Sequence, residues 1–315
     1  MTEKVLVTGG SGLVGKALER VVRMSGKDIN NWTFISSTDY NLVSMEETMC
    51  CFKTIRPQIV IHLASCVGGL YKNMNNKVEM LEKNLMINYN VLKCAYIFEV
   101  NKVISCLSTC IFPDKTTYPI NEKMLHNGPP HNSNNTYAYA KRMLEIQSRA
   151  YQENYDKDFI CIIPTNIYGP QDNYSLADGH VIPALIHRCY LAKQNNEDFV
   201  VKGTGKPLRQ FMYSEDVGQI IINIINNYYD RKPIIIAPNE KDEISIGQVA
   251  RYIAECFDYG DRITFDDSYS DGQYKKTADN LKFRAYMPDF KFTDIEIGIK
   301  KSVEWFVQNY ETARK

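Results

Sequence analysis

A glycine-rich run near the N-terminus constrains this chain more than any other feature. Gly9-Gly10-Ser11-Gly12-Leu13-Val14-Gly15 directly follows the apolar run Lys4-Val5-Leu6-Val7-Thr8. It leads into Leu13 to Met24, where Leu13, Ala17, Val21 and Met24 recur at helical spacing. Glycine repeats are common. One set between a buried strand and a helix is not, because small residues there let the backbone approach a pyrophosphate while the helix N-terminus supplies amide donors. The run predicts a dinucleotide site made by Gly9 to Gly15, and with it a strand–turn–helix unit that needs a parallel sheet to pack against.

The rest of the chain keeps that rhythm. Strands are expected at 32–36, 59–64, 102–108 and 159–163, separated by helices at 45–54, 81–100 and 136–155. Strict strand–helix alternation predicts an α/β fold with a doubly wound parallel (Rossmann) sheet. After Gly169-Pro170 the pattern loosens into helices at 181–195, 214–228, 245–257 and 293–310, with a strand at 199–201. The expected organisation is a dinucleotide-binding domain over 1–170 and a smaller substrate lobe over 171–315, with some chain returning to the first domain.

Composition narrows the partners. Thirty-seven basic and 37 acidic residues cancel, which argues against a general nucleic-acid or anionic-membrane binder. No apolar run approaches the ~20 residues of a membrane span. The N-terminus has no signal-peptide pattern. The nine Cys lack CxxC spacing, and most lie in apolar segments, so reduced thiols in a cytoplasmic protein are expected. Neither Cys nor His shows metal-ligand spacing, and no metal is expected.

An NAD site carries a carboxylate about 20 residues beyond the glycines to hold the ribose 2′-hydroxyl. Ser36-Ser37 stand there instead, and the first carboxylate, Asp39, comes later. Two hydroxyls without an adjacent negative charge favour NADP. Further on, Tyr137 and Lys141 are four apart in a helical segment and share a face. A free phenol has a pKa near 10, and a neighbouring ammonium is expected to lower it. Ser108 ends the fourth strand, where such sheets place their ligands.

Gly9 to Gly15, Ser108, Tyr137 and Lys141 resemble the extended short-chain dehydrogenase/reductase family. Leu107-to-Pro113, Gly128-to-Asn134, Pro164-Thr165-Asn166, Asp178-Gly179-His180 and Arg209-Gln210-Phe211 are similar to its branch that epimerises GDP-4-keto-6-deoxy-D-mannose at C3 and C5 and then reduces C4 with NADPH. That resemblance implies proton exchange by Cys110 and His180, and reduction supported by Ser108, Tyr137 and Lys141. It implies that Leu63, Ala64, Pro164, Asn166, Ile167 and His180 lie beside the cofactor. Asn166 would also shape the sugar pocket, while Arg188, Arg209 and Lys276 would hold the nucleotide sugar's diphosphate. Lys202 stands where the branch has a tryptophan, so an ammonium replaces a stacking ring. A homodimer is implied as well. Thr109-Cys110 replaces the Asp-Glu pair of the 4,6-dehydratases, leaving a 4-epimerase or an inactive NADP-binding regulator as the alternatives.

Overall fold

A computed structural model describes residues 3–68, 74–269, 271 and 273–315. The first lobe opens with β1 (Val5–Thr8), α1 (Leu13–Met24), β2 (Trp32–Ile35), α2 (Met45–Ile55) and β3 (Ile59–His62). It continues with α3 (Lys77–Ile97), β4 (Lys102–Cys106), α4 (Asn135–Tyr155) and β5 (Asp158–Pro164). The second lobe begins with β6 (Asn166–Tyr168), α5 (Val181–Asn195), β7 (Phe199–Lys202), β8 (Leu208–Arg209), β9 (Phe211–Tyr213) and α6 (Ser214–Asn227). There follow β10 (Ile234–Ile236), β11 (Ile244–Ser245), α7 (Ile246–Cys256), β12 (Ile263–Asp266), α8 (Leu281–Tyr286) and α9 (Ile295–Gln308).

Six strands form one parallel sheet in the order β10-β5-β4-β3-β1-β2. Its inner strands read as unbroken apolar runs because helices cover both faces. Leu6, Val7, Val60, Ile61, Val103 and Ile104 are all fully buried. On one side α2, α3 and α4 close over Leu6, Val60 and Val103. On the other, α1 and α6 cover Val7, Ile61 and Ile104. The strand order reverses between β1 and β3, which opens a crevice beyond their carboxyl ends. The candidate site lies along this edge.

The long amphipathic helices stand close to their expected positions, and α1 and α5 match to the residue. α2 stops where Arg56 enters the left-handed region at φ 52°, just before Pro57. The strands of two or three residues were not foreseen. β10 is three residues long, yet it forms the sixth strand against β5. It comes from chain well past residue 170, as does α6, which packs on α1 in the first lobe. Gly218 makes that contact close, since a Cβ there would lie 3.2 Å from Leu18 Cα. A separate apolar cluster, with Tyr168, Ile186, Phe199, Val249 and Phe306, forms the core of the second lobe.

One irregular segment ties the two lobes together. Tyr274 O accepts from Leu208 N at 2.9 Å, and Thr277 O accepts from Ile120 N at 2.9 Å. Asp279 N returns a bond to Ile120 O at 2.8 Å. The buried Gln210 locks the segment, accepting from Ala278 N at 2.8 Å and donating to Ala278 O at 3.1 Å. Residues 273–279 thus form a strap between β8 and the loop after β4.

Candidate active site

The glycine turn is shaped by backbone crowding. Gly9 has φ +69°, and a Cβ there would meet Ala64 N at 2.8 Å and Leu63 C at 2.9 Å. Leu63 and Ala64 therefore press against the turn at the switch point between β1 and β3. A Cβ on Gly15 would lie 2.5 Å from Gly9 O and 2.7 Å from Gly10 Cα, so helix and turn touch. Gly12 caps α1 without a side-chain hydrogen bond, and the first turn holds no acidic residue. A bare, positive helix end beside a cradle too tight for side chains fits a dinucleotide pyrophosphate.

The end of β2 differs from expectation. Asp39 folds back onto Ser36 and accepts from both its amide and its hydroxyl at 2.7 Å. Those bonds hold the Asp39 carboxyl below its ordinary range. A carboxylate is therefore adjacent to Ser36 after all. The hydroxyl of Ser37 makes no hydrogen bond among the described residues, and Ser37 is exposed.

Ser108 lies two residues past the end of β4, not on the strand as expected, and caps a single 3-10 turn, Thr109–Ile111, with its hydroxyl accepting from Cys110 N at 3.4 Å. Two neighbours on α4 clamp that segment. Lys141 Nζ donates to Cys106 O at 2.8 Å, and Arg142 Nε donates to Ile111 O at 2.6 Å. Cys110 lies between them, 9% exposed. Burial pushes its thiol up, while Lys276, a hydrogen bond with Ser108, and Lys141 draw it down.

Tyr137 lies on the same face of α4 as Lys141, whose Nζ is 5.8 Å from the ring centre. The expected lowering of its pKa is absent. Burial pushes the phenol well above its ordinary value, the nearby Cys110 and Cys106 add to this, and Ser65 opposes it through a hydrogen bond. Lys141 is itself 2% exposed, and burial depresses its pKa. Desolvation decides the direction for both groups. A phenol held neutral suits proton donation rather than proton abstraction.

Ser65 was missed in the sequence, as was Asn84. The Ser65 hydroxyl donates to Asn84 Oδ1 at 2.6 Å, and Asn84 Nδ2 returns a bond to Cys66 O at 3.0 Å. A polar residue one strand away in sequence carries no local sign that it will meet Tyr137.

The remaining candidates come from the second lobe. Pro164 ends β5, and Asn166 and Ile167 begin β6. Asn166 donates from both its amide and its side chain to Gln210 O, at 3.2 Å and 3.0 Å. His180 is the exposed N-cap of α5, and its ring makes no hydrogen bond among the described residues. A charged neighbour is Asp172, 3% exposed, one of whose carboxylate oxygens has no hydrogen-bond partner among the described residues. Arg188 Nη1 donates to Val200 O at 3.4 Å. Lys202 ends β7 with its ammonium 4.4 Å from the centre of the Tyr269 ring, so an aromatic does stand at that place, from the loop after β12. Arg209 donates to the carbonyls of Leu208 and Gln273 at 2.7 Å. Lys276 is influenced by Cys110, Arg209 and Asp114. The strap thus carries one cation to the boundary between the thiol and the second lobe.

Comparison with known proteins places the whole chain among relatives of one kind. A GDP-L-fucose synthase of Dictyostelium discoideum is 56% identical, with 99% of this chain and 97% of that protein covered. A probable GDP-L-fucose synthase of Drosophila melanogaster is 48% identical over 99% and 100%. The crystal structure of a GDP-L-fucose synthetase from Naegleria fowleri bound to NADP superposes with a TM-score of 0.94 at 50% identity, covering 100% of this chain and 96% of that one. The profile of the NAD dependent epimerase/dehydratase family matches residues 5–237, and with a glycine turn at the switch point of a parallel sheet and Tyr137 beside Lys141 at its edge, the chain belongs to that family.

Proposed function

We propose that the chain is a GDP-L-fucose synthase, epimerising GDP-4-keto-6-deoxy-D-mannose at C3 and C5 and reducing it at C4 with NADPH. The observation that carries this reading is that the buried Cys110 and Lys141 lie in one small cluster with the half-buried Ser108 and Tyr137. A plain reductase needs no thiol there. An epimerase that works on either side of a ketone needs an extra proton-exchanging group.

The C4 ketone makes the hydrogens on C3 and C5 acidic. Cys110 and His180 exchange protons at these carbons from opposite faces. Burial favours the thiol and outweighs the pull of Lys276, Ser108 and Lys141 toward the thiolate, so the resting Cys110 carries a proton that it can deliver to carbon. Ser108 and Tyr137 donate hydrogen bonds to the C4 oxygen while negative charge builds on it. NADPH supplies the hydride to C4 when bound. The neutral phenol of Tyr137 gives its proton to the C4 oxygen, and Lys141 holds the Cys106 carbonyl and with it the strand end that presents Ser108. Gly9 to Gly15 with Leu63, Ala64, Pro164 and Ile167 hold the dinucleotide, and the exposed Ser37, whose hydroxyl is not bonded to Asp39, meets its 2′-phosphate. Arg188, Lys202, Arg209 and Lys276 take the GDP diphosphate, where an arginine fork matches phosphate oxygens, and Asn166 borders the sugar.

Incubation with GDP-4-keto-6-deoxy-D-mannose and NADPH in heavy water tests this, read by mass spectrometry and NMR of the sugar. The wild type should form GDP-L-fucose with deuterium at C3 and C5. Tyr137→Phe should still exchange deuterium while oxidising little NADPH, and Cys110→Ser should oxidise NADPH slowly with deuterium lost at one centre. Correct GDP-L-fucose from Cys110→Ser would return this cysteine to a packing role.

We also infer a homodimer in the cytoplasm. Met86 and Tyr89 on α3, and Tyr139, Met143 and Ile146 on α4, are exposed at helical spacing on two packed helices, which supports a second copy as their cover. All nine cysteines are unpaired and five are buried, which supports a reducing compartment. Among the described residues no helix is long and apolar enough to cross a membrane. Sedimentation should give a dimer, and Tyr89→Asp with Met143→Asp should give monomers.

A further inference from the structure

Three polar side chains are buried in the first lobe where apolar ones would pack as well. Thr8 and His62 are 0% exposed and Asn88 is 2% exposed. They stand at the carboxyl ends of β1 and β3 and on the inner face of α3. They form a single chain of hydrogen bonds. Ala64 N lies 3.2 Å from Thr8 Oγ1, Thr8 Oγ1 lies 2.9 Å from His62 Nδ1, His62 Nε2 lies 3.0 Å from Asn88 Oδ1, and Asn88 Nδ2 lies 3.3 Å from Ala140 O.

The direction of every bond is determined. The Ala140 carbonyl only accepts, so the amide nitrogen of Asn88 faces it and the amide oxygen faces His62. That oxygen only accepts, so His62 carries its proton on Nε2. Burial and the charge of Lys141 keep the ring neutral, pushing it down to about 3. Nδ1 is therefore bare and accepts the Thr8 hydroxyl proton, which leaves the Thr8 oxygen free to accept from Ala64. All four donors point the same way, from the crevice to the catalytic helix.

The two ends are what matter. Ala64 is the residue against which Gly9 of the dinucleotide turn is pressed, and Thr8 directly precedes that glycine. Ala140 adjoins Lys141 and lies one turn beyond Tyr137. A simpler core would satisfy no such chain, because each buried polar group costs stability unless paired. Paired in a low-dielectric interior, the same groups tolerate one geometry only.

We propose that Thr8, His62 and Asn88 are positioning residues, a relay that holds the Tyr137–Lys141 helix at a set distance from the dinucleotide turn and so aligns the phenol with the bound cofactor. The proposal rests on the reading of the site as a dinucleotide-dependent reductase. The relay touches neither Cys110 nor His180, so its loss impairs reduction more than proton exchange.

Nitrogen-15 NMR of the wild-type imidazole, without substrate, is the first test. His62 should show a proton on Nε2 and a bare Nδ1 from pH 5 to 9, and its resonances should shift on titration with NADP+. A proton on Nδ1, or resonances that ignore NADP+ while binding is observed by fluorescence, would overturn the relay. The second test compares Thr8→Val, which keeps the shape and removes the hydroxyl, with Thr8→Ser, which keeps it. Thr8→Val should lower kcat for NADPH oxidation by about tenfold or more, as expected for a small misplacement of reacting groups. Its KM for the nucleotide sugar and its deuterium exchange should change far less, and Thr8→Ser should restore kcat. Equal losses in exchange and reduction, or a normal kcat in Thr8→Val, would reduce the chain to core packing. If Thr8→Val does not fold, the wild-type spectra and Thr8→Ser still decide. A wild type that binds NADP+ with the expected shifts yet does not reduce GDP-4-keto-6-deoxy-D-mannose would sink the proposed activity and leave the relay standing.

Discussion

Asp172 puts an ionisable group where water barely reaches. Its carboxyl accepts one bond from Asn173 N at 2.7 Å, and the other oxygen is buried without a hydrogen-bond partner among the described residues. Burial raises it from 3.8 to about 6, against the opposing pull of His180 and Arg314. The sign of the consequence is the reverse of an ion-paired carboxylate. Below the unfolded value both states are protonated and nothing is lost. As pH rises the unfolded chain ionises first, so the fold loses stability until about pH 6, and the cost is complete above that. A shift of about two units is worth up to about 3 kcal/mol. Asp172→Asn should therefore raise the melting temperature by several degrees at pH 8, with the gain shrinking toward pH 4.5. A gain independent of pH would mean that the carboxylate is compensated. The same conflict governs Tyr137. The spacing to Lys141 was legible in the sequence, but the outcome was not, because burial, which the tertiary structure sets, is the largest influence on the phenol. Nor does residue type separate Cys110 from the buried Cys94 or Cys161; its neighbours Ser108 and Lys276 distinguish it.

Elements meet where glycine allows them to. At Gly15 the first turn of α1 rests on the glycine loop, and a Cβ would fall 2.5 Å from Gly9 O. Backbone cannot yield as a flexible side chain does, and forced contacts of this kind cost about 1–3 kcal/mol. Gly15→Ala should lower the urea midpoint and weaken NADPH binding by about tenfold, the latter near one such increment of free energy. Gly260→Ala, at a site with nothing within 4 Å, is the control and should change neither. Unchanged NADPH affinity in a folded Gly15→Ala protein would place the dinucleotide elsewhere. Helices of 11 residues or more were legible because their apolar period repeats several times. β6, β8, β9 and β11 have two or three residues each, too few for a period to show. They exist because neighbouring backbone offers partners.

At the scale of the whole molecule, the strap over residues 273–279 decides how the lobes face each other. Arg209 is one of its anchors, donating to Gln273 O, Leu208 O and, at 3.4 Å, Tyr274 O. Gln273 in turn donates to Asp114 Oδ1 at 2.6 Å, on the loop that follows Cys110. Arg209→Ala should thus have two effects. The KM for the nucleotide sugar should rise by at least tenfold while that for NADPH holds, since a charge-assisted bond is worth roughly 1.5–3 kcal/mol. The melting temperature should also fall as the strap loosens. A larger change for NADPH would assign the guanidinium to the wrong ligand.

The amino-acid sequence by itself determined the alternation of strands and helices, the parallel sheet and the dinucleotide turn. Each of these follows from local patterns, the glycine spacing and the periods of apolar residues. Tertiary structure alone decided the identity of the sixth strand, the neutral phenol of Tyr137 and the chain of bonds from Ala64 to Ala140. These arise from desolvation and from pairing between groups far apart in the chain, such as Thr8 with His62 or Lys276 with Cys110. No short window of sequence contains both partners of such a contact.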